Sequence, residues 1–184
     1  MTQPSSPHLI VIRGNSSSGK STLATELQHR LGRGVANVGQ DHLRRVVLRE
    51  HDVPDGDNIA LIEQTVRHCL AIPYHVIVEG ILHEPHYGPM LRRLLDEHAG
   101  PSQVFYLDVP FEATVERHRT KDFAAAVSTE QLRSWYHDQD LLGVPGEVVI
   151  DASRPSAEVL SDVLERIGPV DPSLASLRDG ARFL

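Results

Sequence analysis

The feature that most constrains this chain is the octapeptide Gly-Asn-Ser-Ser-Ser-Gly-Lys-Ser at residues 14–21. A short apolar run at residues 9–12 precedes it, and Leu23, Leu27 and Leu31 follow it at helical spacing. A loop of the form G-x-x-x-x-G-K-S between a strand and a helix is typical of a phosphate-binding loop. The sequence therefore predicts that the chain binds a nucleoside triphosphate.

The composition of this loop suits a triphosphate, which concentrates negative charge in a small volume. Glycine lets the backbone curl so that successive N–H groups point at the phosphates, and the following helix adds its positive end. In this interpretation Lys20 contacts the β- and γ-phosphates and the Ser21 hydroxyl binds Mg²⁺. The alternative is a serine-rich turn that only begins a helix, but the glycines, the lysine and the flanking pattern favour phosphate binding. The predicted nucleotide-binding residues are Gly14, Asn15, Ser16, Ser17, Ser18, Gly19, Lys20, Ser21 and Thr22.

Short apolar runs alternate with helical patterns along the chain. The runs fall at residues 8–13, 35–39, 76–78, 104–107 and 148–150. Strands that alternate with helices predict an α/β fold, in which a doubly wound five-stranded parallel sheet is covered by helices on both faces. With 184 residues, we expect a single P-loop domain with a core over residues 8–167 and a C-terminal tail over residues 168–184.

Carboxylates follow four of the five predicted strands, at Asp41, Glu79, Asp108 and Asp151. Ligands of open parallel sheets gather at the carboxyl ends of the strands, so we expect these side chains near the phosphate-binding loop. A carboxylate close to the γ-phosphate can orient a hydroxyl group and accept its proton during phosphoryl transfer. The pattern thus indicates where the chemistry of such a protein would occur.

Composition and charge limit the cellular compartment and the binding partners that we expect for this chain. The formal net charge is -7 and no long run of Lys or Arg occurs, which disfavours a dedicated nucleic-acid surface. Cys69 is the only cysteine, so an intramolecular disulfide is excluded. The N-terminal region lacks the basic segment and the long apolar stretch of a signal or membrane helix. We therefore expect a cytoplasmic protein that does not bind membranes, with a monomer and a homodimer both left open.

These motifs together resemble the P-loop small-molecule kinases, a group that includes nucleotide, nucleoside, gluconate and shikimate kinases, chloramphenicol phosphotransferase and zeta toxins. The resemblance covers about residues 8–167 and depends on the phosphate-binding loop and the order of the motifs. Residues 38–43, Val-Gly-Gln-Asp-His-Leu, resemble the end of the second strand in chloramphenicol phosphotransferase and in uridine kinases. By that resemblance Asp41 is the catalytic base. The alternative is that Asp41 only caps the helix that it opens.

Further site residues follow from the same resemblance. Residues 76–82 are similar to the third strand of uridine kinases, which implies that Glu79 holds Mg²⁺ through water or contacts the acceptor. Residues 116–121 resemble the lid of these kinases, where basic side chains close over the transferring phosphate; the alternative is a solvated basic face. The implied lid residues are Arg117 first, then Arg119, with Lys121 nearby. The implied acceptor-side residues are Arg44, Arg45, Glu79 and His83.

The resemblance implies an ATP- and Mg²⁺-dependent phosphotransferase that moves the γ-phosphate to the hydroxyl of a small molecule. An antibiotic acceptor is favoured slightly by the stretch at residues 39–42, Gly-Gln-Asp-His. Nucleoside, sugar and metabolite kinases are the alternatives, followed by a zeta-toxin-like or RNA-end kinase. A GTPase switch is disfavoured because the guanine-reading pattern N-K-x-D is missing from the sequence.

Overall fold

The computed structural model describes residues 6–119 and 128–170. Its strands are β1 (Leu9–Gly14), β2 (Val35–Gly39), β3 (His75–Glu79), β4 (Ser102–Asp108) and β5 (Glu147–Asp151). Its α-helices are α1 (Lys20–Leu31), α2 (Asp57–Ala71), α3 (Glu84–Glu97), α4 (Phe111–Arg119), α5 (Thr129–Trp135) and α6 (Ser156–Ile167). Residues 120–127, which include Lys121 of the predicted lid stretch, and the tail beyond residue 170 lie outside the described residues.

The five strands form one parallel sheet with the order β2-β3-β1-β4-β5. Strand β1 is central and pairs with β3 on one side and β4 on the other. Parallel neighbours need crossover connections, and here helices make most of these crossovers. The predicted α/β fold with a doubly wound five-stranded parallel sheet is therefore confirmed. Its topology places the start of α1 between the ends of β3 and β4.

The core lies on both faces of the sheet, which explains why the strands are continuous apolar runs. The side chains at residues 9–12 of β1 are at most 1% exposed. Ile10 and Ile12 belong to the cluster packed against α1 and α6, whereas Leu9 and Val11 belong to the cluster packed against α2 and α3. A strand covered on both faces cannot alternate polar and apolar residues. Among the described residues, none of the helices is both long and apolar enough to span a bilayer.

The segment after β2 is a π-helix, His42–Leu48, where the sequence predicts an ordinary helix. Short π-helices are rare and often occur at functional sites. In this element Arg44 lies on the buried face, whereas Val46 and Val47 are 64% and 54% exposed. The irregular helix therefore turns a charged side chain inward at the carboxyl edge of the sheet.

Candidate active site

The phosphate-binding loop leaves the end of β1 in a conformation that its first glycine permits. Gly14 has a φ of 145°, and a Cβ there would lie 2.5 Å from the carbonyl oxygen of Leu107 on β4. The Lys20 ammonium lies over the loop, where it donates to the Asn15 carbonyl at 2.6 Å and to the Ser18 hydroxyl at 3.2 Å. The loop thus presents a buried lysine and the positive end of α1 at the same edge of the sheet.

Ser21 and Glu79 meet between the start of α1 and the end of β3. The Ser21 hydroxyl donates to Glu79 Oε2 at 3.0 Å, and Glu79 is only 8% exposed. Burial raises the pKa of Glu79, while the hydrogen bond from Ser21 and the charge of Lys20 offset part of this rise. Gly39 leaves room for the carboxylate, because a Cβ there would lie 2.8 Å from Glu79 Oε1. A hydroxyl beside a carboxylate at this position fits a partly hydrated Mg²⁺.

Asp41 lies two residues beyond the end of β2, and its side chain is 64% exposed. It makes no capping hydrogen bond to the π-helix that follows it. Its Oδ1 instead accepts a hydrogen bond from Arg44 Nη2 at 2.9 Å and lies 3.1 Å from Arg45 Nε. The structure therefore gives no support to the capping alternative, and the role of Asp41 as a base stays a prediction.

Arg44 and Arg45 share the Asp41 carboxylate but differ in burial. The Arg44 side chain is 10% exposed, whereas that of Arg45 is 55% exposed. Arg44 Nε is buried and has no hydrogen-bond partner within the described part of the chain. Two guanidinium groups share one carboxylate here, and the more exposed of the two, that of Arg45, is suited to binding an anion.

A pocket of about 280 Å³ lies beside the phosphate-binding loop. Its walls include Thr22 and Leu23 of α1, Arg117 of α4, and Ala152 and Arg154 in the loop after β5. Pockets of nucleotide-binding α/β proteins lie in this way at the carboxyl edge of the sheet. The position next to the loop suits the base and ribose of a nucleotide whose phosphates lie over α1.

Arg117 connects α4 to both sides of this pocket. Its Nη2 donates to the carbonyl oxygen of Ala152 at 2.8 Å, and its Nη1 donates to that of Ser18 at 3.5 Å. Arg119 is exposed at the end of α4. Of the two predicted lid arginines, Arg117 is the one that lines the pocket.

His83 lies between β3 and α3, at the residue that precedes α3. Its ring stacks on that of His137 with centroids 4.1 Å apart and an interplanar angle of 15°. Its Nδ1 lies 3.3 Å from Asp140 Oδ1. The structure thus places the predicted acceptor residue His83 in a cluster with the segment that follows α5.

Sequence reasoning missed a polar network behind Asp41. Gln40 is 2% exposed, accepts from the backbone N–H of Leu82 at 2.9 Å and donates to Asp52 at 3.2 Å. The Tyr87 hydroxyl donates to Asp52 at 2.7 Å, and burial is the largest cause that raises its pKa. Tyr87 lies in an amphipathic helix and Asp52 in a loop, so periodicity gave no signal. In the sequence, only the adjacent polar residues Gln40 and Asp41 after β2 could have indicated this network.

The buried ion pair of Arg13 is the second feature near the site that sequence reasoning missed. Arg13 is 0% exposed, and its Nη2 donates to the Leu82 carbonyl and to Asp140 Oδ2, both at 2.9 Å. Its Nη1 lies 3.5 Å from Glu147 Oε1. Desolvation lowers the pKa of Arg13, and the charges of Asp140 and Glu147 oppose this shift. In the sequence, the charged Arg13 at the end of an apolar strand could have indicated a buried ion pair.

Comparison with known proteins is consistent with this arrangement. A family profile described as an AAA domain matches residues 9–140. The search of curated proteins gave no match.

Several solved structures match most of the chain. A gluconokinase from Sinorhizobium meliloti shares 21% identity with a TM-score of 0.64, over 94% of this chain and 96% of that chain. An APS kinase from Mycobacterium tuberculosis, solved with AMPPNP and APS, shares 18% with a TM-score of 0.67, over 88% and 98%. A sugar kinase from Janibacter shares 19% with a TM-score of 0.61, over 92% and 98%. At these identities the likeness shows a common fold.

Proposed function

The chain belongs to the AAA domain family, whose profile spans residues 9–140, and from this premise we propose that it is an ATP- and Mg²⁺-dependent phosphotransferase. The proposed acceptor is a hydroxyl group on a small molecule. The observation that carries the proposal is the contact between Ser21 and the buried carboxylate of Glu79, 3.0 Å apart, beside the lysine of the phosphate-binding loop. A loop that only bound a phosphate group would not need this carboxylate at its edge.

ATP is the proposed donor. The pocket beside Gly19 has a volume of about 280 Å³ and lies where the base and ribose would continue from the phosphates. Arg117 borders both the pocket and the loop, since it donates to the Ala152 and Ser18 carbonyls. The APS kinase of similar fold was solved with AMPPNP, an ATP analogue, which adds support for an adenine nucleotide.

Ser21 and Glu79 are the residues that would hold Mg²⁺, Ser21 directly and Glu79 through water. Their fit rests on the hydroxyl–carboxylate contact at 3.0 Å and on the burial of Glu79. When bound, the ion neutralises charge on the β- and γ-phosphates. Lys20 and the backbone N–H groups of the loop bind the remaining phosphate oxygens in this proposal.

Asp41 is the proposed base. The acceptor hydroxyl donates to its exposed carboxylate, and the proton passes to that carboxylate as the new oxygen–phosphorus bond forms and the bond to ADP breaks. Arg117 then stabilises the charge that spreads over the oxygens of the transferred group. This arrangement transfers the phosphoryl group directly, without a phosphorylated protein intermediate.

We favour an acceptor that carries an anionic group near its hydroxyl. Arg44 and Arg45 bring two positive charges to the carboxylate of Asp41, and the half-exposed guanidinium of Arg45 is accessible to an anionic ligand. An antibiotic hydroxyl is the second candidate, supported by the likeness of residues 39–42 to chloramphenicol phosphotransferase. The net charge of -7 disfavours RNA ends as acceptors.

The test is a screen of acceptors with ATP and Mg²⁺ that records ADP release and product mass together. The panel holds sugar acids, sugars, nucleosides, sulfated and phosphorylated metabolites, chloramphenicol-like and aminoglycoside antibiotics, and RNA ends. The proposal expects a product heavier by one phosphate group, whose formation is lost in Lys20→Ala and strongly reduced in Asp41→Asn. ADP release without any phosphorylated product, or equal turnover in Lys20→Ala, would contradict it.

A further inference from the structure

Asn15 occupies the second position of the phosphate-binding loop, yet its side chain is engaged by residues outside that loop. It is 3% exposed. Its Oδ1 accepts from the backbone N–H of His137 at 2.9 Å, and its Nδ2 donates to the His137 carbonyl at 2.8 Å and to the Tyr106 hydroxyl at 3.2 Å. An asparagine amide has two N–H donors, and both are used here. The side chain therefore has no donor left for a phosphate oxygen.

The geometry of this contact is that of two paired peptide groups. The amide of Asn15 meets both the N–H and the carbonyl of one residue, His137, as a neighbouring strand would. Tyr106 on β4 closes the arrangement, because its hydroxyl also donates to the His137 carbonyl at 3.3 Å. Burial raises the pKa of Tyr106 to about 12, so its hydroxyl keeps its proton. Buried and fully satisfied networks of this kind fix the relative positions of their members.

The segment over residues 137–140 continues from this contact to the loop after β3. The Asp140 carboxylate accepts from the backbone N–H of Glu84 at 3.1 Å, at the start of α3. The same carboxylate accepts from Arg13, which also donates to the Leu82 carbonyl in the loop between β3 and α3. The segment is thus bound on one side to the phosphate-binding loop and on the other side to the loop that leads into α3.

The His137 side chain adds a direct contact to the predicted acceptor side. Its ring stacks on His83 at 4.1 Å between centroids, and the rings of His83 and His86 meet edge to face at 5.2 Å. His137 therefore has its backbone held by Asn15 and its ring packed on His83. A displacement of the His137 backbone would move the ring against which His83 packs.

We propose that Asn15 is a positioning residue, which pins residues 137–140 to the phosphate-binding loop and through them holds His83 and the loop after β3 beside the transferring phosphate. The kinetic part of this inference rests on the proposed phosphotransferase function, because it concerns placement of the acceptor. The place of Asn15 in the motif predicts that its side chain binds the nucleotide. The positioning role replaces that prediction for the side chain. The backbone of Asn15 remains part of the loop.

The first experiment needs no acceptor. We measure backbone amide exchange at residues 136–140 and the affinity for AMP-PNP with Mg²⁺ in the wild type and in two variants. These are Asn15→Ala and, as the control, Ser16→Ala, which deletes a hydroxyl group at the next position of the same loop. We expect the His137 amide to exchange about tenfold faster in Asn15→Ala, since it loses its acceptor, while AMP-PNP affinity stays within about threefold. Ser16→Ala should leave the exchange of the His137 amide unchanged. A loss of AMP-PNP affinity in Asn15→Ala with unchanged His137 exchange would overturn the inference.

Tyr106→Phe is the second variant, and it keeps the test decisive if Asn15→Ala does not fold. It removes the hydroxyl that supports both Asn15 and His137 without changing the phosphate-binding loop. We expect faster exchange of the His137 amide here as well, by a smaller factor. An unchanged exchange rate in Tyr106→Phe, in a preparation where Asn15→Ala is unfolded, would count against the inference.

The kinetic readout separates a positioning role from general damage. With the acceptor found by the screen, both variants should raise the acceptor KM by about threefold to tenfold while the KM for ATP is unchanged. A rise in the KM for ATP alone would overturn the inference. If no acceptor is phosphorylated by the wild type, the proposed function fails, whereas the exchange and affinity results still decide whether Asn15 pins residues 137–140.

Discussion

At the scale of single residues, the most specific prediction concerns Asp41. It is an exposed carboxylate at the end of β2, flanked by two arginines and not engaged in helix capping. Its replacement therefore removes a proton acceptor without removing a helix cap. We predict that Asp41→Asn lowers kcat by about 10²–10⁴, the usual contribution of a general base, with unchanged affinity for ATP. Steady-state kinetics, with thermal unfolding of the same preparations, measure both quantities.

The matched control for this prediction is Arg45→Gln. Arg45 is half-exposed and contacts the same carboxylate at 3.1 Å, so its loss changes the surroundings of Asp41 but leaves the proton acceptor in place. We expect a higher acceptor KM in Arg45→Gln and a much smaller loss of kcat than in Asp41→Asn. A normal kcat in Asp41→Asn would show that the carboxylate is not the base.

Glu79 makes a prediction about pH. Its burial raises the pKa of the folded state above the unfolded value, so its favourable contribution to stability is fully present below the unfolded value and is lost as the pH rises through the folded pKa. Glu79→Gln removes this titration. We expect the free energy of unfolding of Glu79→Gln, relative to the wild type, to rise as the pH is raised above the ordinary glutamate pKa of about 4.5. Urea denaturation without nucleotide or Mg²⁺ measures it, and parallel stability curves for the two proteins would contradict the prediction.

At the scale of elements, the register between β2 and β3 builds the proposed metal site. Gly39 is paired with Glu79, and a Cβ at residue 39 would lie 2.8 Å from the Glu79 carboxylate. Because the end of a glutamate side chain can turn aside, Gly39→Ala should keep the fold and displace the carboxylate from Ser21. We predict that the Mg²⁺ concentration for half-maximal turnover rises by about tenfold to a hundredfold, as for loss of an outer-shell metal partner.

A double-mutant cycle isolates this effect from any other consequence of Gly39→Ala. In Glu79→Ala the carboxylate is missing, so adding Gly39→Ala should leave the Mg²⁺ requirement as it is in the single Glu79→Ala variant. Titration of Mg²⁺ at saturating ATP in all four proteins gives the coupling free energy between residues 39 and 79. Independent, additive effects of the two substitutions would show that the strand register does not act through Glu79.

At the scale of the whole molecule, the sequence predicts the local elements of the fold but not the side-chain contacts between segments that are distant along the chain. The phosphate-binding loop and the strands are contiguous patterns, so their identity and order could be deduced from spacing. Asn15 and His137 are separated by 122 positions, and Arg13 and Asp140 by 127. Hydrophobic periodicity does not predict which loops contact each other. An asparagine inside a phosphate-binding loop is therefore interpreted as a nucleotide-binding residue. The contacts that tie the site together therefore came only from the three-dimensional structure.

The buried ion pair of Arg13 gives the last prediction, which concerns the stability of the whole fold. Arg13 is fully buried and depends on Asp140, with Glu147 at 3.5 Å, to balance its charge. Asp140→Ala removes the closer partner and leaves the buried Arg13 charge with Glu147 alone at 3.5 Å, so it should lower the free energy of unfolding by about 3–5 kcal/mol. Asp162 also contacts two arginines, but at the surface of α6, and Asp162→Ala should cost at most about 1 kcal/mol. Urea denaturation of both variants under one set of conditions makes the comparison, and similar small losses in the two would show that Glu147 alone compensates Arg13.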